Sequence, residues 1–223
     1  MANKLSLTRQ ELASFLKTPE QIKQFEKLFS SSQESTVNID QLTTQTTDLQ
    51  QNVGDINLSL SSINTQIASI NNQIQKYVGS FYDTTSQTAA AINTAYAMTF
   101  NSTSINQGVG IGTIPSRIYV YSPRTYNIQF SAQLDNTSGG SHLAYIWLRV
   151  NGIDIAQTAG QIRLKGTDGE LVAAWNFFYT LNANDYFEIM WSVNNTSVQI
   201  TASGAVSPVP AIPSVILTCT NIN

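Results

Sequence analysis

Charge is scarce in this sequence. Lys, Arg, Asp and Glu supply 11% of 223 residues, less than half the usual share. The net charge of −3 at pH 7 leaves no basic footprint of the kind nucleic-acid binding needs. A single cysteine, Cys219, excludes an intrachain disulfide framework and reads as a small hydrophobe buried in the last strand. A single histidine, His142, excludes a two-histidine metal site, and no zinc motif can be built on one cysteine. No apolar run approaches the length of a membrane span. The N-terminus has no signal-peptide hydrophobic region. The expectation is synthesis in a cytoplasm, with any passage outside made without a signal peptide. In place of charge the polar load is Asn, Gln, Ser and Thr. These side chains are cheaper to desolvate than ions, which suits surfaces that meet other protein surfaces.

Against that background one pattern stands out. With Ile39 at heptad position a, the a residues are Ile39, Thr46, Val53, Leu60, Ile67 and Ile74, and the d residues are Leu42, Leu49, Ile56, Ile63, Ile70 and Tyr77. Only Thr46 is polar, and the 3-4 alternation never slips. Sustained heptads of this kind predict a coiled coil, with a long core helix of a monomer as the alternative. Isoleucine at both a and d favours three or four strands, while Leu42 and Leu49 at d favour two. The e and g positions are Thr, Gln, Asn and Ser throughout, so interhelical salt bridges cannot select the partner.

Ahead of the heptads lie two helix-start signals. Thr8 with Glu11 forms a capping box, and Thr18-Pro19-Glu20-Gln21 places a cap, a first-turn proline and a reaching glutamine in order. The apolar faces would be Leu12, Phe15 and Leu16, then Ile22, Phe25 and Phe29. Ser30-Ser31-Ser32-Gln33 is expected to break the second helix. Such a short hairpin cannot bury its own apolar faces; it either packs around the coil or docks on another protein.

Beyond Val78-Gly79-Ser80 the period changes to two. Tyr126, Ile128, Phe130, Ala132 and Leu134 alternate with polar residues, as do Phe187, Ile189, Trp191 and Val193, the mark of half-buried antiparallel strands. Further strands are expected near Thr94–Asn101, Gly108–Gly112, Arg117–Tyr121, Leu143–Val150, Ile153–Ala159, Leu171–Leu181, Val198–Ser203 and Val215–Asn221. Asn151-Gly152 reads as a type I′ hairpin turn, Asp168-Gly169 as a second tight turn, and Asp135–Ser141 as a longer exposed loop. Some ten short strands without a helix signal predict a jelly-roll β-sandwich. Trp147, Trp175 and Trp191 read as core. Tyr119, Tyr121, Phe178 and Tyr186 fall out of phase with it and would line an interface or a ligand surface.

No catalytic constellation is found. A Cys219–His142 pair is conceivable, but a buried strand cysteine and an exposed loop histidine are the simpler reading. Asp168 and Glu170 around Gly169 read as a solvated hairpin, with a surface calcium site as the alternative. Gly108, Gly110 and Gly112 precede a strand, so they are no dinucleotide loop.

Tyr126–Leu134, Ser141–Asn151 (SHLAYIWLRVN) and Trp175–Asn194 (WNFFYTLNANDYFEIMWSVN) together resemble a C1q/TNF-like jelly roll. The version they resemble most follows an Asn/Gln/Ser/Thr-rich coiled coil in structural proteins of tailed bacteriophages. Leu7–Phe29 (LTRQELASFLKTPEQIKQFEKLF) likewise resembles the start of such proteins. The resemblance implies a mainly β chain with a helical N-terminal part, a homotrimer with its heads around a threefold axis, and a place on a virion. It implies no enzyme activity and no cofactor. The expected layout is a helical anchor over 1–33, a trimeric coiled-coil stalk over 34–78 and a jelly-roll head over 79–223. The expected partners are further copies of the chain and, through residues 1–33, capsid, neck or tail proteins. Neither nucleic acid nor membrane insertion is expected. The alternatives are a receptor-binding fibre, with Tyr121, Asn136, Ser141 and Tyr186 as contacts, and a secreted bacterial cytokine-like or adhesin module.

Overall fold

A computed structural model of the protein describes residues 8–222, the side chains of Arg9 and Leu12 apart. The chain divides into two units, Met1–Ile70 and Asn71–Asn223. The first is helical: α1 (Arg9–Phe15) and α2 (Pro19–Ile74), the last turn of which belongs to the second unit. Both start signals form as expected. The Glu11 amide donates to Thr8 Oγ1 at 3.3 Å; the Thr8 hydroxyl and amide donate to Glu11 Oε2 at 2.7 and 2.8 Å and hold that carboxyl below the ordinary carboxylate range. The Gln21 amide donates to Thr18 Oγ1 at 3.3 Å, and Gln21 Oε1 accepts from the Lys17 and Thr18 amides.

The expected break at Ser30–Gln33 does not occur. α2 runs through it for 56 residues, about 84 Å at 1.5 Å per residue. Serine is only a weak helix disfavourer. The hydroxyls of Ser35 and Thr36 turn back onto the carbonyls of Ser31 and Ser32 at 3.0 Å, so the polar run serves its own backbone instead of competing with it. Thr43, Thr44, Thr46, Thr47 and Thr65 do the same further along. Among the described residues of this unit none is buried.

The second unit is a sandwich. Its strands are β1 (Val78–Asp83), β2 (Gln87–Thr88), β3 (Tyr96–Ala97), β4 (Ser102–Gln107), β5 (Val109–Ile111), β6 (Ile118–Val120), β7 (Arg124–Asn136), β8 (Ser141–Val150), β9 (Ile153–Asp154), β10 (Gly160–Lys165), β11 (Leu171–Leu181), β12 (Tyr186–Val193), β13 (Val198–Ile200) and β14 (Val215–Ile222). All pairings are antiparallel. The first sheet runs β4-β1-β14-β7-β11, with β13 and β2 beside the far end of β7; the second runs β10-β8-β12-β6-β5, with β9 on β8 and β3 on β12. Taking the eight principal strands in chain order as first to eighth, the sheets read 1-8-3-6 and 2-7-4-5. That interleaving is the double Greek key of a jelly roll.

Between the sheets lie Tyr126, Ile128, Phe130 and Leu134 of β7, Leu217 and Cys219 of β14, and Phe81, facing Ile146 and Leu148 of β8 and Phe187, Ile189 and Trp191 of β12. The expected phases of β7 and β12 hold. β12 is also covered on its outer side, where Glu188 and Met190 are buried as well. Asn151 and Gly152 have φ of 48° and 82°, the left-handed pair that a type I′ turn requires. Several expected strands shrink: Thr94–Asn101 to β3, Ile153–Ala159 to β9, Val198–Ser203 to β13. The sequence reading passed over β1, β2, β4 and β10. β1 is masked by the heptads that run into it. β4 carries no alternation, because residues 103–107 are all exposed.

Candidate functional site

The heptad residues occupy one stripe of α2. Ile39, Leu42, Leu49, Val53, Ile56, Leu60, Ile63, Ile67, Ile70 and Ile74 are each 50–64% exposed in the single chain. The polar member at a, Thr46, donates its hydroxyl to the Leu42 carbonyl at 2.8 Å. Its donor is therefore already satisfied, and its methyl is free to enter a packed seam at little desolvation cost. Tyr77 corrects the expectation. α2 ends at Ile74, and the Tyr77 side chain packs on the core of the sandwich. Its amide donates to Asn221 Oδ1 at 2.8 Å, its carbonyl accepts from the Asn221 amide at 3.1 Å, and a Cβ on Gly108 (φ 68°) would collide with its ring. Tyr77 thus seats the chain into the head and is no seam residue. Beside it Arg124 donates to the carbonyl and side chain of Asn72.

Of the expected anchor residues, Phe15 and Phe25 are exposed, Leu16, Ile22 and Phe29 half-buried, and the side chain of Leu12 lies outside the described residues.

The head has two unlike outer faces. On the first sheet the outward residues of β11 are Val172, Ala174, Asn176, Phe178 and Thr180, with Phe178 60% exposed. Those of β7 are Thr125, Asn127, Gln129, Ser131, Gln133 and Asp135, and β14 adds Ile216, Thr218, Thr220 and Ile222. Asp135, at the far end of β7, is the one charge among them. The second sheet turns Arg117, Arg149, Arg163, Lys165 and Glu188 outward, among aromatics. Arg149 Nε and Trp147 Nε1 both donate to Asp154 Oδ1 at 2.7 Å; the Arg149 bond comes first in holding the Asp154 carboxyl below its usual range. Trp147 is thereby an outer-face residue, not core as expected, whereas Trp191 is 1% exposed and Trp175 packs edge-on against Phe130.

The four expected receptor contacts do not converge. Tyr121 and Tyr186 lie at the Val78 end of the sandwich, where Tyr121 donates its amide to the Gly108 carbonyl. Asn136 and Ser141 lie at the other end, roughly 33 Å away along β7 at about 3.3 Å per residue. The Tyr186 ring is covered by Arg117, 4.3 Å from its centroid, and by Tyr119 at 5.4 Å, so only Tyr121 presents an open ring. Asn136 is fully buried. It donates to the Ser138 and Gly166 carbonyls at 2.7 and 2.8 Å and accepts from Ser197 Oγ at 2.9 Å. The expected loop Asp135–Ser141 shrinks to 137–140, and Thr137 is tied at both its amide and its hydroxyl to the Ser197 carbonyl. Ser141 opens β8 and accepts from Arg163.

Cys219 faces the core opposite Ile128, where burial pushes its thiol up, away from reactivity. His142 hydrogen-bonds within the loop, to Ser138 Oγ and the Gly139 carbonyl. The two do not form a nucleophile pair. Among the described residues no group of three His, Cys, Asp or Glu could hold a metal ion, and no helix is long and apolar enough to cross a membrane.

No family model matches the chain, and no curated protein does. Two solved structures similar to it are murine APRIL, with 9% identity, a TM-score of 0.44 and coverage of 66% of this chain and 100% of that one, and the globular domain of zebrafish complement 1qA, with 16% identity, a TM-score of 0.41 and coverage of 67% and 98%. Similarities of this size leave function open.

Proposed function

We propose that the chain is a homotrimeric virion structural protein of a tailed phage, a short fibre or capsid decoration. α1 and the start of α2 anchor it to capsid, neck or tail, the heptad part of α2 is the stalk, and the jelly roll is the displayed head. One observation carries the reading: the described part of the helical unit buries nothing, while ten aliphatic side chains line one face of α2 at a and d. Such a stripe in water needs partners, and isoleucine at both positions favours three or four strands over two. The outer face of the first sheet supports it, with Asp135 as the one charge on β7, β11 and β14 there, because three heads held side by side need a surface that can be desolvated while stranding few ions. The phage setting rests on the resemblance of Leu7–Phe29 and of the coil to phage structural proteins.

Light scattering on the purified protein is expected to give three times the 24.4 kDa chain mass; a monomer or dimer at micromolar concentration overturns the trimer. An image of the intact virion then locates the density, and a particle without it overturns the virion role. The second outer face favours one further reading. The exposed Tyr121 ring and the arginine–aromatic cluster of Arg117, Tyr119 and Tyr186 could meet a host surface, which would make the protein a receptor-binding fibre.

A further inference from the structure

Between β13 and β14 the chain leaves the sandwich as a hairpin. The amides and carbonyls of Val206 and Val209 bond each other at 2.7 and 3.0 Å, and those of Ser203 and Ile212 at 2.9 and 3.0 Å. The segment lies at the Asp83 end of the head, because Val215, which follows it, pairs with Asp83 while Val78 pairs with Thr220. From residue 201 to 214 it carries no charge. Val206 is 72% and Val209 50% exposed, and Pro208, Pro210 and Pro213 restrict its backbone. A stiff strip of aliphatic side chains held out in water is costly unless something covers it.

We propose that its cover is the neighbouring copy of this chain: the hairpin is a clasp that closes the Asp83 end of the three heads. This rests on the trimer proposed above. At its base the hairpin borders the outer face of the first sheet, since Ile212 and Ser203 share a cleft of about 440 Å³ with Leu171 and Val172, and with Asp135 and Glu170 at its edge of the sheet; the tip, Val206 and Val209, carries no charge. A neighbour's equally uncharged Val172–Phe178 strip is a surface it can meet without burying an ion. Size points the same way. The hairpin offers only a few aliphatic side chains, Val206, Val209 and Ile212 the largest of them, far below the roughly 800 Å² per partner of a stable free interface. A contact that small holds only a partner already tethered, and the helical seam supplies the other heads at about millimolar effective concentration. A lipid surface fits less well: the strip has neither the aromatic nor the basic residues that seat an apolar tip in a bilayer interface.

The test is thiol labelling of the full chain. Cys219 is buried, so the native background is low. Val206→Cys is compared with Ile153→Cys, a site of similar exposure at 69% on the β8–β9 hairpin. In a preparation shown to be trimeric, Val206→Cys is expected to react about tenfold more slowly or less than Ile153→Cys, because access controls the rate. Adding Ile67→Asp to separate the copies should restore equal rates. Equal labelling in a verified trimer overturns the clasp and leaves the trimer standing. Protection that persists after separation also overturns it, because the cover would then lie within one chain. A protein that never forms a trimer overturns both.

Discussion

Asn136 is a polar side chain spent on architecture. Its amide group closes the loop 137–140 and the Gly166 turn onto β7 from a fully buried position. Asn136→Ala would strand two carbonyls and the Ser197 hydroxyl, and the expected loss is roughly 2–3 kcal/mol of head stability, read by urea unfolding with trimer mass unchanged. A loss below about 0.5 kcal/mol would mean the loop is held by Thr137 alone. Tyr126 contributes to the alkaline limit, in the same direction as the buried Cys219 thiol. Burial raises its phenol from 10 to about 12, and it donates to the Ser122 carbonyl at 2.8 Å. The unfolded chain releases that proton near pH 10. Between about pH 10 and 12 it therefore binds fewer protons than the folded state, and stability falls as pH rises through that window. Tyr126→Phe should cost about 1 kcal/mol at neutral pH yet decline less steeply above pH 10; an unchanged alkaline slope would place the titration elsewhere.

Among elements, the exposed seam sets the strongest expectation. Ile67→Asp should dissociate the assembly, because several carboxylates on one axis cannot be desolvated together; a trimer of unchanged mass would show that the seam does not hold it. Phe25→Glu separates anchor from stalk. It should abolish incorporation into virions while leaving a soluble trimer, and a trimer that falls apart would mean that Phe25 packs within the assembly instead. The sequence made these helices legible because capping and heptads are local signals. Thr8–Glu11, Thr18–Gln21 and the a/d spacing needed no tertiary information. It misread Ser30–Ser32, since serine content alone cannot say whether hydroxyls compete with the helix or fold back onto it. It placed Tyr77 in the seam because the heptad count runs on to the next d position, three residues past the end of the helix. In the sandwich, long alternating strands such as β7 were visible. β2, β3 and β9, each two residues long, exist only by pairing, which no local pattern announces. The receptor residues failed for a different reason: Tyr121 and Asn136 flank the long strand that was legible, so its length holds them at opposite ends.

On the proposed reading the two outer faces of the head divide the work, the one poor in charge turned to other copies and the charged, aromatic one left to solvent or host. A phage lacking the protein discriminates decoration from reception. Unchanged adsorption is expected for decoration, and a large loss of adsorption would favour the receptor reading, to be followed by Tyr121→Ala in the intact fibre.

The uncharged flanks of α2 have one more consequence. A heptad repeat with no ionic pairs along e and g differs little from itself shifted by seven residues, so three such helices could align in staggered ways at small cost. Within the stalk only Thr46, the single polar a residue, breaks the repeat, and with its hydroxyl already bonded to the Leu42 carbonyl it marks the starting line weakly. The jelly roll can mark it, because its first strand follows the last turn of α2 within four residues. Alignment would then begin at the head and zip towards the N-terminus. Residues 1–78 made without the head should form mixtures of staggered bundles, with broad spin-label distances between equivalent positions where the full chain gives one narrow distance.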